Sequence, residues 1–168
     1  MKRLYSLAIF AVAAISLSAC ATGPSVGTST GGLEMPIEKA AIKFAADVRE
    51  GGYQVTATEE LGKWVAEKKS MVIIDTMPAD AFAGGHLPGA VSGPMPKTEK
   101  ELTAAEKEGI LKAAGAQKDT PVVVYCGFVA CRRSHIGAKT LIENGYKNVY
   151  RYPAGITGWK EAGYQVEK

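Results

Sequence analysis

Cysteine and histidine are scarce in this chain, with three and two copies among 168 residues. No Cys-x2-Cys pair occurs, which removes the usual zinc and haem-attachment spacings. Cys126, Cys131 and His135 would give three soft ligands but no fourth, so neither a metal nor an organic cofactor is expected. No apolar run reaches the roughly 20 residues that a membrane-spanning helix needs. Excess charge is lacking too: 20 Lys and Arg stand against 17 Asp and Glu. No basic run carries interleaved aromatics, and nucleic-acid binding is not expected. No segment repeats, which excludes solenoids and propellers.

The amino terminus has the layout of an export signal. Lys2 and Arg3 precede a short apolar stretch, Leu4 to Leu17, and small residues follow. Leu17-Ser-Ala-Cys20 resembles the bacterial lipobox, which implies a signal over 1–19, a lipid on Cys20 and attachment to a bacterial membrane. An ordinary secretory signal ending in a chance cysteine is the rival. Ala21 after the cysteine points to the outer membrane, with the domain facing periplasm or cell surface. Removing Lys2 and Arg3 leaves 18 basic against 17 acidic residues, so the basic character of the full chain carries no message about partners. Residues 20–35, rich in Gly, Ser and Thr, are expected to form a flexible tether.

Beyond the tether, 36–52 is expected to form a helical extension. Pro36 suits a first helical position, Ile37, Ala41, Phe44 and Val48 fall on one face, and Gly51-Gly52 stops it. From Tyr53 to the carboxyl terminus, strands alternate with helices. Tyr53–Thr56, Met71–Ile74, Val122–Val124 and Val149–Tyr150 read as strands. Thr56 with Glu59 and Thr103 with Glu106 have capping-box spacing, and Ile156–Ala162 reads as a last helix. The fold class is α/β: one domain with a mostly parallel central sheet and helices on both faces.

Chemistry concentrates where the Val122–Val124 strand ends. Cys126 follows at its carboxyl end, where open α/β sheets place ligands, and helical spacing begins near Arg132. Unpaired N–H groups and the positive helix end are expected to converge on Cys126, with charge from Arg132 and Arg133, and to favour thiolate. Arg132 is expected to bind a substrate anion, and the sequence leaves open which arginine faces inward. Cys131 is a possible resolving thiol, since an exported thiol pair within about 7 Å between Cα atoms can form a disulfide. Ser134 can cap the helix or donate into the loop. His135 is expected at the surface by the pocket mouth, while Asp75 and His86 are expected to brace loops.

Three ordered blocks resemble the rhodanese-like family over Tyr53 to the carboxyl terminus. They are Ile73-Ile-Asp-Thr76 with Phe82 and Gly85-His-Leu-Pro-Gly-Ala90, then Val122-Val-Val-Tyr-Cys126, then Gly155 with Trp159, Gly163 and Val166. The resemblance implies a sulfurtransferase in which Cys126 carries sulfane sulfur as a persulfide, cradled by Gly127, Phe128, Val129, Ala130, Cys131, Arg132 and Arg133. It implies a small sulfur-containing anion such as thiosulfate as donor and a thiol or cyanide as acceptor, while the oxidising compartment reached by export calls for a redox partner protein to keep the thiols reduced.

The chain departs from the family pattern at Met77, commonly arginine, and at Ala81, commonly acidic. It also has five residues between Cys126 and Arg132, where many members have four. Cys-x5-Arg is the spacing of related phosphatases and arsenate reductases, although those enzymes place His where Tyr125 stands. A third reading is a binder of sulfur, selenium or metalloid species, without turnover, that uses Cys126 and Cys131 as a dithiol.

Overall fold

A computed structural model describes residues 33–168. The expected signal, the expected lipidation site Cys20 and most of the expected tether lie outside the described residues. The first helix, α1, runs Glu34–Gly51. It is followed by β1 Gln54–Val55, α2 Thr58–Ala66, β2 Val72–Asp75, α3 Ala79–Gly84 and β3 Ala90–Ser92. After a 3-10 turn at Glu99–Glu101 come α4 Ala104–Ala114, β4 Val122–Tyr125, α5 Arg133–Glu143, β5 Val149–Tyr152 and α6 Gly155–Glu161. No described helix is long and apolar enough to cross a membrane.

The five strands form one parallel sheet in the order β1-β5-β4-β2-β3, which puts β4 at its centre. Parallel strands buried on both faces need apolar side chains on both, and the period of two separates them. Ile74, Val122 and Val124 join Ile110, Ile136 and Leu141 from α4 and α5 on one face. Ile73, Val123 and Tyr125 join Leu61 and Trp159 from α2 and α6 on the other. Each fully buried Leu, Ile or Val contributes about 1.5–3 kcal/mol, so these two layers fix where β4 ends.

Several local expectations met the structure and several did not. The Thr103 hydroxyl accepts from the Glu106 N–H at 3.2 Å, and the Glu106 carboxylate accepts from the Thr103 N–H at 2.9 Å, a complete capping box. Thr56 does not cap α2. Its hydroxyl donates to Glu60 at 3.0 Å, and Ala57 occupies the cap position without a side-chain bond. The predicted stripe on α1 is buried only in its second half. Ile37 is 54% exposed, whereas Asp47 and Gly51 are buried and Phe44 and Val48 half-buried. The buried face of α1 therefore includes an acid, for a reason found at the site.

Candidate active site

β4 delivers Cys126 into a loop that ends at Arg133, the first residue of α5. Two separate supports hold that loop. At its start, α6 uses N–H groups that its own helix leaves free: Ile156 donates to the Cys126 carbonyl at 3.0 Å and Thr157 to the Gly127 carbonyl at 3.1 Å. Gly155 permits the close approach, with φ +61° and no room for a Cβ against the Cys126 and Gly127 backbone.

The second support is Arg151 of β5, which is fully buried. Its Nη2 donates to the carbonyls of Val129 at 3.2 Å and Cys131 at 3.1 Å. Nε donates to the Ser134 hydroxyl at 3.1 Å, while Nη1 donates to Tyr53 Oη at 3.1 Å and Asp47 Oδ2 at 3.3 Å. Five N–H donors thus meet five acceptors, as a buried guanidinium requires. The Phe44 ring lies 5.1 Å from the same guanidinium. Asp47 is buried because it balances this charge, which explains the acid on the inner face of α1. The sequence reading missed both residues. A lone arginine inside a strand covered on both faces was the available signal.

Within the loop, Cys126 and Cys131 are joined as a disulfide with Cα atoms 6.6 Å apart. Cys126 is only 1% exposed, and Cys131 is half-buried. The expected ring of N–H groups around the Cys126 sulfur is not formed in this state. Among the described residues no backbone N–H donates to it, and its polar neighbours are the carbonyl oxygens of Cys131 at 3.5 Å and Phe128 at 4.0 Å. The physical reason is the loop's path: the Cys131 carbonyl that faces the sulfur is held in place by Arg151 Nη2 at 3.1 Å.

Outside the loop lies a cavity of about 570 Å³ walled by Gly127, Phe128, Ala130, Cys131, Met77 and Pro78. Lys43, Lys97, Arg132 and Arg133 complete it, and no acidic residue does. Phe128, on the cavity wall, is 55% exposed. Met77 takes its place through Asp75, whose buried Oδ1 accepts the Met77 N–H at 2.8 Å. Burial pushes the Asp75 carboxyl up, partly offset by that bond. His86 braces its turn as expected, through Nδ1 to the Phe82 carbonyl at 3.1 Å and a stacked Phe82 ring.

Arg132 differs from its expected role. Its Nη2 lies 2.8 Å from Glu99, 3.7 Å from Asp47 and 3.9 Å from Glu50, so its charge is already matched by carboxylates. Arg133 donates through Nη1 to the Met95 carbonyl and also reaches the cavity wall. Both arginines therefore border the pocket, and neither is a free anion clamp.

His135, expected at the surface, is fully buried because α1 and Glu99 cover the first turn of α5. Its Nδ1 meets Tyr53 Oη at 2.9 Å. The Glu99 carboxylate can only accept, so Nε2 donates to it at 3.2 Å, and Nδ1 of the neutral ring accepts the Tyr53 proton. Asp47, Glu50 and His135 offer ligand atoms within 4.8 Å of one another, but Arg132 already reaches both carboxylates. An ion-pair network, not a metal centre, is the arrangement these groups form.

A profile of the rhodanese-like domain matches residues 57–162, more than half of the chain. The thiosulfate sulfurtransferase GlpE of Coxiella burnetii is 29% identical over 96 residues, which cover 57% of this chain and 78% of that protein. A chloroplastic rhodanese-like domain-containing protein of Arabidopsis thaliana is 26% identical over 60% of this chain; the match spans 59% of that protein's length. Among solved structures, a thiosulfate sulfurtransferase from Pseudomonas aeruginosa superposes with a TM-score of 0.59 at 26% identity, covering 76% of this chain and 22% of that one. Fold, central strand and sequence profile agree, and the chain belongs to the rhodanese-like domain family.

Proposed function

We propose that this protein is a sulfurtransferase in which Cys126 carries the sulfur. The observation that carries this reading is the position of Cys126 at the end of the central strand, beneath a cavity bordered by four cationic side chains and no acid. Lys43 and Arg132 are paired with carboxylates, whereas Lys97 and Arg133 have no carboxylate partner among the described residues, so a thiosulfate-like anion entering that cavity meets their positive charge. Once the loop is reduced, the Cys126 thiolate attacks the outer sulfur of the donor, the S–S bond breaks, and sulfite leaves with the electron pair. The resulting persulfide is then attacked at its outer sulfur by a thiol or cyanide, which returns the thiolate. The rhodanese-like profile, the shared fold and the description of two relatives as thiosulfate sulfurtransferases support this.

The phosphatase reading finds less support. Tyr125 stands where those enzymes place His, and its hydroxyl accepts the Leu87 N–H at 3.0 Å. No carboxylic acid borders the cavity to protonate a leaving alcohol. The reading as a binder of sulfur, selenium or metalloid species uses Cys126 and Cys131 together as a dithiol and has no turnover. Export and lipidation at Cys20 belong to the proposal and would place both thiols in an oxidising compartment, where a closed disulfide is a natural resting state.

The test is thiocyanate formation from thiosulfate and cyanide by reduced Cys131→Ser protein, in which the loop cannot close. Cys131→Ser turns over, and the Cys126→Ser, Cys131→Ser double variant falls to the uncatalysed background. Equal rates for the two proteins would refute the assignment.

A further inference from the structure

We propose a second activity, resting on the persulfide reading: Cys131 discharges the Cys126 persulfide as hydrogen sulfide. The protein would then reduce sulfane sulfur as well as transfer it. Three observations carry this. The two sulfurs bond directly, so the inner sulfur of a Cys126 persulfide lies within reach of Cys131. The backbones at both ends are held independently of the cross-link, Cys126 by the Ile156 N–H and Cys131 by Arg151. Their 6.6 Å Cα separation therefore persists after reduction, and side-chain rotation suffices to open or close the bond. Finally, Cys131 borders the cavity whereas Cys126 is sealed, so the second thiol stands where the leaving atom must exit.

The step balances. The Cys131 thiolate attacks the inner sulfur of Cys126–S–SH; the bond to the outer sulfur breaks, and that sulfur leaves with the electron pair as hydrosulfide. Both cysteine sulfurs end oxidised in the disulfide, and the sulfane sulfur ends reduced. Hydrosulfide is a weaker base than an alkyl thiolate, so it is the better leaving group. Attack on the outer sulfur would instead relay the persulfide to Cys131 without releasing sulfide. Reopening the loop consumes a dithiol reductant, such as a Cys-x2-Cys protein, which is oxidised in exchange.

A single-turnover experiment separates this inference from the reading beneath it. Reduced protein, freed of reductant under anaerobic conditions, is mixed with excess thiosulfate, and sulfite, sulfide and intact mass are followed for wild type, Cys131→Ser, Cys131→Ala and Cys126→Ser. Wild type is expected to release equal sulfite and sulfide and to finish two hydrogens lighter with no added sulfur. Both Cys131 variants are expected to release sulfite alone and to retain one sulfur atom, and Cys126→Ser to release neither. Wild type that keeps the sulfur and releases no sulfide would overturn the discharge step while leaving the sulfurtransferase reading intact. Sulfide release from the Cys131 variants at the wild-type rate would overturn it equally. Cys131 variants that release no sulfite would overturn the persulfide reading itself.

Discussion

At the residue scale, the site depends on a charge that the loop itself does not carry. Arg151 fixes the carbonyls of Val129 and Cys131, and everything around it serves to keep its charge matched. His135 belongs to that arrangement as a neutral ring. Burial lowers its pKa, with Arg132 and Arg151 acting in the same direction and Asp47 and Glu50 opposing. Because the folded value lies below the unfolded one, about 6.5, the unfolded chain binds the proton first as pH falls. The stabilisation from a neutral His135 is present above that value and is lost below it. The thermal midpoint of wild type should therefore fall between pH 7 and pH 5 more steeply than that of His135→Gln, as read by circular dichroism. Parallel slopes for the two proteins would show that the ring is not held neutral.

Among the elements, those with strong apolar patterning were legible in the sequence and those without it were not. Val122–Val124 announced the central strand, and the change of period near Arg132 announced α5. β3 escaped because it is a short edge strand with Val91 40% exposed, and α3 because six residues without a buried side chain leave no periodic trace. Cys126 and Cys131 were legible as a pair, but their closure was not, since spacing alone does not fix a Cα distance. The partners of Arg132 were hidden for a related reason: Glu99 comes from a turn 33 residues away. α1 read as an amphipathic helix packed by its apolar face, yet what secures it is Asp47 against Arg151. Removing one member of a buried ion pair leaves the other uncompensated, at a cost of roughly 3–5 kcal/mol. Asp47→Ala should lose about 3 kcal/mol in urea unfolding; a loss under about 1 kcal/mol would mean that α1 is not anchored there.

For the molecule as a whole, the parallel sheet brings the ends of β4 and β5 and the start of α6 to one place. β4 leads into Cys126, the proposed nucleophile, β5 supplies the buried cation and α6 the amides that hold the loop's start, while α1 closes the network from outside the profile-matched residues. That assembly predicts a specific address for the transferred atom. The most direct test is to treat reduced Cys131→Ser with thiosulfate, block the remaining thiols, digest the protein and locate the added sulfur by peptide mass. Sulfur on the peptide containing Cys126, absent from unblocked controls treated with sulfite alone, is the predicted result. Protein that takes up no sulfur, or carries it elsewhere, would contradict the account.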